Sequence, residues 1–174
     1  MDPDAYLCQL AEIFNGISVN TPSLSAIIAI ILAGLLLLAS GFASASEIAF
    51  FSLSPSDLND IEEGNHPSDG KISNLLADSE RLLATILITN NFVNVTIIML
   101  CNFFFMNVFV FHSPLAEFLI LTVILTFLLL LFGEIMPKIY SAQKTLAFCR
   151  FSAPVIYMLR KVFAPISAVL VHST

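Results

Sequence analysis

Charge is scarce in this chain: 11% of its residues are Asp, Glu, Lys or Arg, where a soluble domain carries about a quarter. With 57% hydrophobic residues and a mean hydropathy of +0.91, that scarcity excludes a soluble globular domain and makes this a membrane protein. The 174 residues allow one compact membrane domain and nothing large in water. Cysteine is nearly missing as well. Cys8, Cys101 and Cys149 are odd in number and scattered, which excludes a disulfide framework and a zinc site. The histidines, His66, His112 and His172, have no Cys, Asp or Glu at ligand spacing. A net charge of −6 leaves no footprint for nucleic acid. Residues 1–20 hold Asp2, Asp4 and Glu12 but no Lys or Arg, the reverse of a signal-peptide start, so the first apolar segment is expected to stay as an anchor. No nucleophile–base pair or catalytic metal motif is present, and no enzyme is expected.

What the chain does have is long apolar runs. An extracytoplasmic lead-in, residues 1–22, holds one helical turn near Tyr6–Phe14. Thr21-Pro22-Ser23 then starts a first span over about 23–46, long enough to cross ~30 Å of hydrocarbon. Residues 52–81 form a polar connection holding seven acids between Asp57 and Glu80. Ser54-Pro55-Ser56-Asp57 starts a short helix ended by Gly64-Asn65, Ile72–Ala77 makes a second, and Asp78 caps the long helix after it. A second span covers about 82–108. Pro114 starts a third, which ends at about Met136 in a Gly133–Pro137 break. Residues 144–174 form a basic, amphipathic juxtamembrane segment, broken by Pro154 and Pro165 and lying in the interface. The fold class is therefore an all-α membrane protein with three transmembrane helices, short helices between spans one and two, and a basic interfacial belt. Lys71, Arg81 and the five basic residues after the third span put the loop and the C-terminus in the cytoplasm and the N-terminus outside.

Within this frame the polar residues stand out. Glu134 follows sixteen uncharged residues, Phe118 to Gly133. A charge at the centre of a membrane helix costs at least ~2.5 kcal/mol. Pro137 has no N–H to offer Gly133, so a carbonyl and a carboxylate come together as hard-cation ligands. The other reading is a helix end with Glu134 paired to Lys138, four residues on. Asn90 and Asn94 stack on one face of the second span, either as interhelical hydrogen-bond partners or as carbonyl ligands. In Ser40-Gly41-Phe42-Ala43-Ser44-Ala45-Ser46-Glu47 the small residues serve helix packing or supply oxygens; Ser44 and Ser46, two apart, cannot both face one point. All these groups are hard oxygens, suited to Mg²⁺, Ca²⁺ or Na⁺.

Three stretches resemble a known family. Ser44-Ala45-Ser46-Glu47-Ile48-Ala49-Phe50-Phe51-Ser52-Leu53-Ser54 is similar to the end of the first helix in the CorC and cyclin M (CNNM) magnesium transporters. Glu80–Ile88 followed by Asn90 to Asn94 resembles the start of that family's second helix, and Phe132-Gly133-Glu134-Ile135-Met136-Pro137-Lys138 its third-helix exit. The resemblance implies a homodimeric domain in the bacterial inner membrane that exports Mg²⁺, driven by Na⁺ entry. It implies a largely dehydrated Mg²⁺ held by Ser44, Asn90, Asn94, the Gly133 carbonyl and Glu134. Thr89 stands where a Gly is usual before the Asn. The resemblance also implies a cytoplasmic pair of CBS modules, through which ATP would act. None lies within residues 1–174, and the chain reads as the membrane part of a longer protein. The rival expectation is a non-transporting membrane anchor that scaffolds a larger complex.

Overall fold

The computed structural model describes residues 18–110 and 114–164. The expected turns near Tyr6–Phe14 and at His112-Ser113, and the break at Pro165, lie outside them. The elements run β1 (Ser18–Val19), α1 (Leu24–Phe51), α2 (Pro55–Glu62), α3 (Asp69–Leu76), α4 (Ser79–Val108), β2 (Phe109–Val110), α5 (Pro114–Leu128), a π-helical segment (Leu129–Ile135), α6 (Met136–Gln143) and α7 (Thr145–Val162). Three helical stretches are long and apolar enough to cross a membrane: Leu24–Phe51, Ser79–Val108 and Glu117–Gln143.

Three of the helices start where the local chemistry supplies a cap. The Ser23 hydroxyl accepts from the Ala26 N–H, and the Ser23 N–H in turn donates to Asn107 Oδ1 at 3.2 Å. Ser54 and Asp57 form a reciprocal capping box around Pro55. Asp78 caps α4 by accepting from the Arg81 N–H. Gly64, at φ 70°, ends α2 in a conformation that side chains resist. β1 and β2 pair antiparallel, Ser18 with Val110 and Val19 with Phe109. This ribbon lies at one end of the α1–α4 pair; the polar loop lies at the other.

Along α1 the inward face is small: Ala26, Ala29, Ala33, Ser40, Gly41 and Ser44 are buried, while Ile28, Ile31, Leu35 and Leu38 are exposed. In lipid, where apolar side chains gain nothing by leaving the tails, small residues let backbones approach and pack. One core cluster lies between the spans, around Ala33, Val93, Ile97, Cys101 and Leu125. A second lies under the loop, where Phe50, Ile61, Ile72, Leu75 and Leu82 meet Cys149, Ala153 and Ile156. That cluster is the reason α1 runs to Phe51, past the expected end at Ser46: Ala49 and Phe50 are buried in it.

Two expectations about proline are corrected. The third span does not stop near Met136; it passes through the π-helical segment and continues as α6 to Gln143. A break inside hydrocarbon would strand backbone polar groups, and widening the helix by one register keeps most of them paired. Nor does Pro154 break the last segment. It lies on the exposed side of a continuous α7, whose opposite face buries Cys149, Ser152, Ala153 and Ile156 at helical spacing.

Two polar contacts hold α7 to α3. Asp69, fully buried, accepts from Arg150 Nε at 2.8 Å and Nη2 at 3.1 Å and also from the His66 N–H. Arg160 reaches the Asn74 carbonyl and side chain. The Arg150 hydrogen bonds hold the Asp69 carboxyl below its usual value of 3.8. A depressed carboxyl stabilises the fold above its unfolded pKa and loses that contribution as pH falls through the folded one. The clamp therefore works undiminished from neutral pH down to about 3.8 and fails only in stronger acid. Cys149 beside it is buried, which pushes its thiol up to about 12. At pH 8 it should resist maleimide in the folded protein. Arg150→Ala, which leaves the buried carboxylate of Asp69 without its partner, should open this packing and expose Cys149. Mass-spectrometric labelling of wild type and variant checks both statements.

A candidate cation site at the widened turn

The site forms where the small-residue half of α1 crosses the π-helical segment and faces α4. Close approach is written into two glycines. A Cβ on Gly41 would meet Pro137 Cγ at 2.9 Å and the Phe132 carbonyl oxygen at 3.2 Å. A Cβ on Gly133 would meet Ser40 Oγ at 3.2 Å. The backbones of the two spans are therefore nearly in contact, and the Ser40 hydroxyl is placed against Gly133.

From the other side α4 presents Asn90 and Asn94. Their Oδ1 atoms lie 2.8 Å and 2.6 Å from Ser40 Oγ. A hydroxyl has one proton, which serves one of these oxygens. The remaining contact brings lone pairs together unless that amide turns its N–H to the hydroxyl. A cation removes that conflict. Asn91, which points elsewhere on the helix, is exposed and takes no part.

Ser44 lies one turn along α1 from Ser40 and is fully buried. Its Oγ is a buried side-chain oxygen without a hydrogen-bond partner among the described residues. Such groups are rare, because leaving a buried hydroxyl unpaired costs about 1–3 kcal/mol. Ser46 differs: its hydroxyl donates to its own helix, at the Phe42 carbonyl, 2.7 Å away. Thr89 does the same to Thr85, so the residue standing in place of a glycine is internally satisfied.

The π-helical segment supplies the backbone side of the site. Its last wide bond runs from the Met136 N–H to the Leu131 carbonyl. The next residue, Pro137, has no N–H, so it can serve neither Phe132 in the wide pattern nor Gly133 in the α pattern. Glu134 is half-buried in this segment, without a hydrogen-bond or ion-pair partner among the described residues. The pairing with Lys138, one of the two readings of this carboxylate, is not made. Lys138 instead meets Glu47 of α1 at 3.0 Å, and Ser141 donates to the Ala45 carbonyl at 2.6 Å. These two contacts fasten α6 to α1 just beyond the site.

Of the residues singled out from sequence, the structure gathers Asn90, Asn94 and Gly133 around one serine hydroxyl. Ser44 lies a turn away, and Glu134 directly follows Gly133 in the chain. Sequence reasoning misses the residue that joins them, Ser40. Its signal is the four-residue step to Ser44, which repeats the step from Asn90 to Asn94. Among the described residues no three His, Cys, Asp or Glu side chains could share a metal. The donors here are hydroxyls, amides, carbonyls and one carboxylate, a set for a hard ion.

Comparison with known proteins places this geometry in context. Residues 30–174 match the family described as the cyclin M transmembrane N-terminal domain. The chain is 32% identical over 130 residues to a protein of Haemophilus influenzae named UPF0053 protein. That alignment covers 75% of this chain and 30% of the relative, so the chain spans under a third of the relative's length.

Proposed function

The chain belongs to the cyclin M family, as an integral, multi-pass membrane domain, and on that premise we propose that it carries Mg²⁺ across the membrane through the site at the widened turn. The observation that carries the proposal is the convergence of the Ser40, Asn90 and Asn94 side chains on one point, against Gly133 and one residue from a carboxylate without a partner among the described residues.

Mg²⁺ is the substrate. It gives up water reluctantly, so a transporting site must offer oxygens in exchange. The two Asn carbonyls and the Ser40 hydroxyl replace water on one side. The backbone carbonyl of Gly133 replaces it on the other, Ser44 completes the shell, and Glu134 neutralises charge in the low dielectric. Loading from the cytoplasmic loop end and release at the ribbon end make the direction export. Na⁺ competes for the same oxygens and favours a different conformation, which couples the two ions. The working unit is a homodimer, and ATP acts only through a region beyond this chain.

The test is Mg²⁺ flux into proteoliposomes, read with an indicator dye, with and without a Na⁺ gradient. Removing one ligand hydroxyl, Ser40→Ala, should cut flux by ~10–100-fold, the equivalent of losing ~1.5–3 kcal/mol of charge-assisted contact. Ser46→Ala, on the same helix but bonded to its own backbone, should leave flux within about twofold. Equal effects from the two variants would refute the site. Absence of flux together with no thermal stabilisation by Mg²⁺ would leave a non-transporting anchor.

A further inference from the structure

We propose that the groove between α1 and α6, on the far side of the Gly41–Pro137 contact from Ser40, holds a single anionic phospholipid. Its acyl chain lies against the spans and its phosphate lies on Lys144.

Two adjoining cavities make the groove. The first, of about 240 Å³, is walled by Leu38, Gly41, Phe132, Pro137, Tyr140 and Phe148 and is almost wholly apolar. The second, of about 260 Å³, shares Tyr140 and Phe148 and adds Lys144 and Phe151. The apolar part lies at the depth of the third span and opens on its outer surface, where Leu38 and Phe132 are exposed. The second part, also mostly apolar but for Lys144, lies at the turn from α6 into α7, where an apolar span gives way to the basic belt. An amphipathic occupant with a long tail and a compact headgroup fits this order of surfaces.

Charge decides which lipid. Residues 135–174 hold Lys138, Lys144, Arg150, Arg160 and Lys161 and no acid. Lys138 and Arg150 are paired with Glu47 and Asp69. Arg160 and Lys161 lie near the Tyr157 ring, at the far end of α7. Lys144 is exposed and has no side-chain partner among the described residues, and it faces the cavity. α7 begins beside it with no side-chain cap, so among the described residues no side chain serves the first N–H groups of the helix. A lysine beside an uncapped helix start suits a phosphate. A zwitterionic headgroup brings its own cation to the same place and gains less.

The test is thermal unfolding and native mass spectrometry of the detergent-purified protein with added phosphatidylglycerol or phosphatidylcholine. Phosphatidylglycerol should raise the melting midpoint and remain bound as one molecule per chain, and phosphatidylcholine should do neither. Lys144→Glu should weaken phosphatidylglycerol retention by about tenfold or more, the scale of reversing one charge at an anionic surface. Leu38→Trp, which fills the apolar end, should do likewise without touching the charge. Lys161→Glu should change little. Equal effects of the two lipids would overturn the proposal. So would an equal loss in Lys161→Glu, which means diffuse belt charge. Full stabilisation by glycerol 3-phosphate would overturn it in favour of a soluble-anion site. A shift that follows only the dimer fraction would overturn it in favour of a second copy covering the groove.

Discussion

Glu134→Gln should abolish transport and at the same time leave the empty protein as stable as before, or more so. Both halves come from one fact: the Glu134 carboxylate stands in a membrane span without a partner among the described residues. A charge held there is costly, and an amide of the same shape removes that cost. If the charge serves only packing, its loss is neutral or helpful and transport persists. If it balances a divalent ion, its loss removes the largest single attraction in the site. Flux should then fall by ~100-fold or more, corresponding to ~3 kcal/mol or more of lost stabilisation of the bound ion. The rise in melting temperature that Mg²⁺ confers on the wild type should vanish in the variant. Measuring midpoint and flux together separates the cases: a firmer empty protein with dead transport assigns Glu134 to the ion, whereas unchanged flux removes it from the site.

Gly41→Ala should be nearly as damaging although it adds one methyl group. That methyl would stand 2.9 Å from Pro137 Cγ and 3.2 Å from the Phe132 carbonyl oxygen. Neither neighbour is the far end of a flexible side chain; one is a ring closed on the backbone and the other is the backbone itself. The spans must part, at a cost of ~1–3 kcal/mol typical of overpacking. The displacement falls on the Phe132–Gly133 peptide, which the site needs against Ser40, so Mg²⁺ stabilisation should be lost along with midpoint. Gly34→Ala is the control. Nothing lies within 4 Å of its Cβ position, and an interior helical Ala is preferred over Gly. It should be silent or slightly stabilising. Gly133→Ala should fall between the two, because the atom it meets is a serine hydroxyl that can turn away.

Much of the fold is legible in the sequence because it rests on local chemistry. The three spans come from apolar runs, and Ser23, Ser54 and Asp78 announce the helix starts that they cap. The Asn90 and Asn94 pair is legible for the same reason, since four residues on a helix is one face. Ser40 is not. A serine among alanines and glycines looks like packing, and its role emerges only when α1 is set in register against both Gly133 and α4. The pairing of Lys138 escapes a local reading because the four-residue step to Glu134 is a local rule, while Glu47 arrives from another helix at 3.0 Å. Pro137 and Pro154 look like breaks because a proline removes one hydrogen bond locally. The continuous helices show that the environment decides: lipid around one and a well-packed opposite face behind the other.

The first two spans are laced together along their length. The β1–β2 ribbon joins their ends, Ser23 bonds Asn107, and Ser40 reaches Asn90 and Asn94. The third span is held differently. Its lower part is fastened to α1 by Glu47–Lys138 and Ser141–Ala45, yet only 17% of its apolar window is buried within the chain, against 33% and 39% for the other two. In mechanical terms it is a cantilever, clamped at its root and held along its arm mainly through Leu121 and Leu125. A load anywhere on such an arm gives its largest bending moment at the root, and here the root adjoins the turn whose backbone hydrogen bonds are already incomplete.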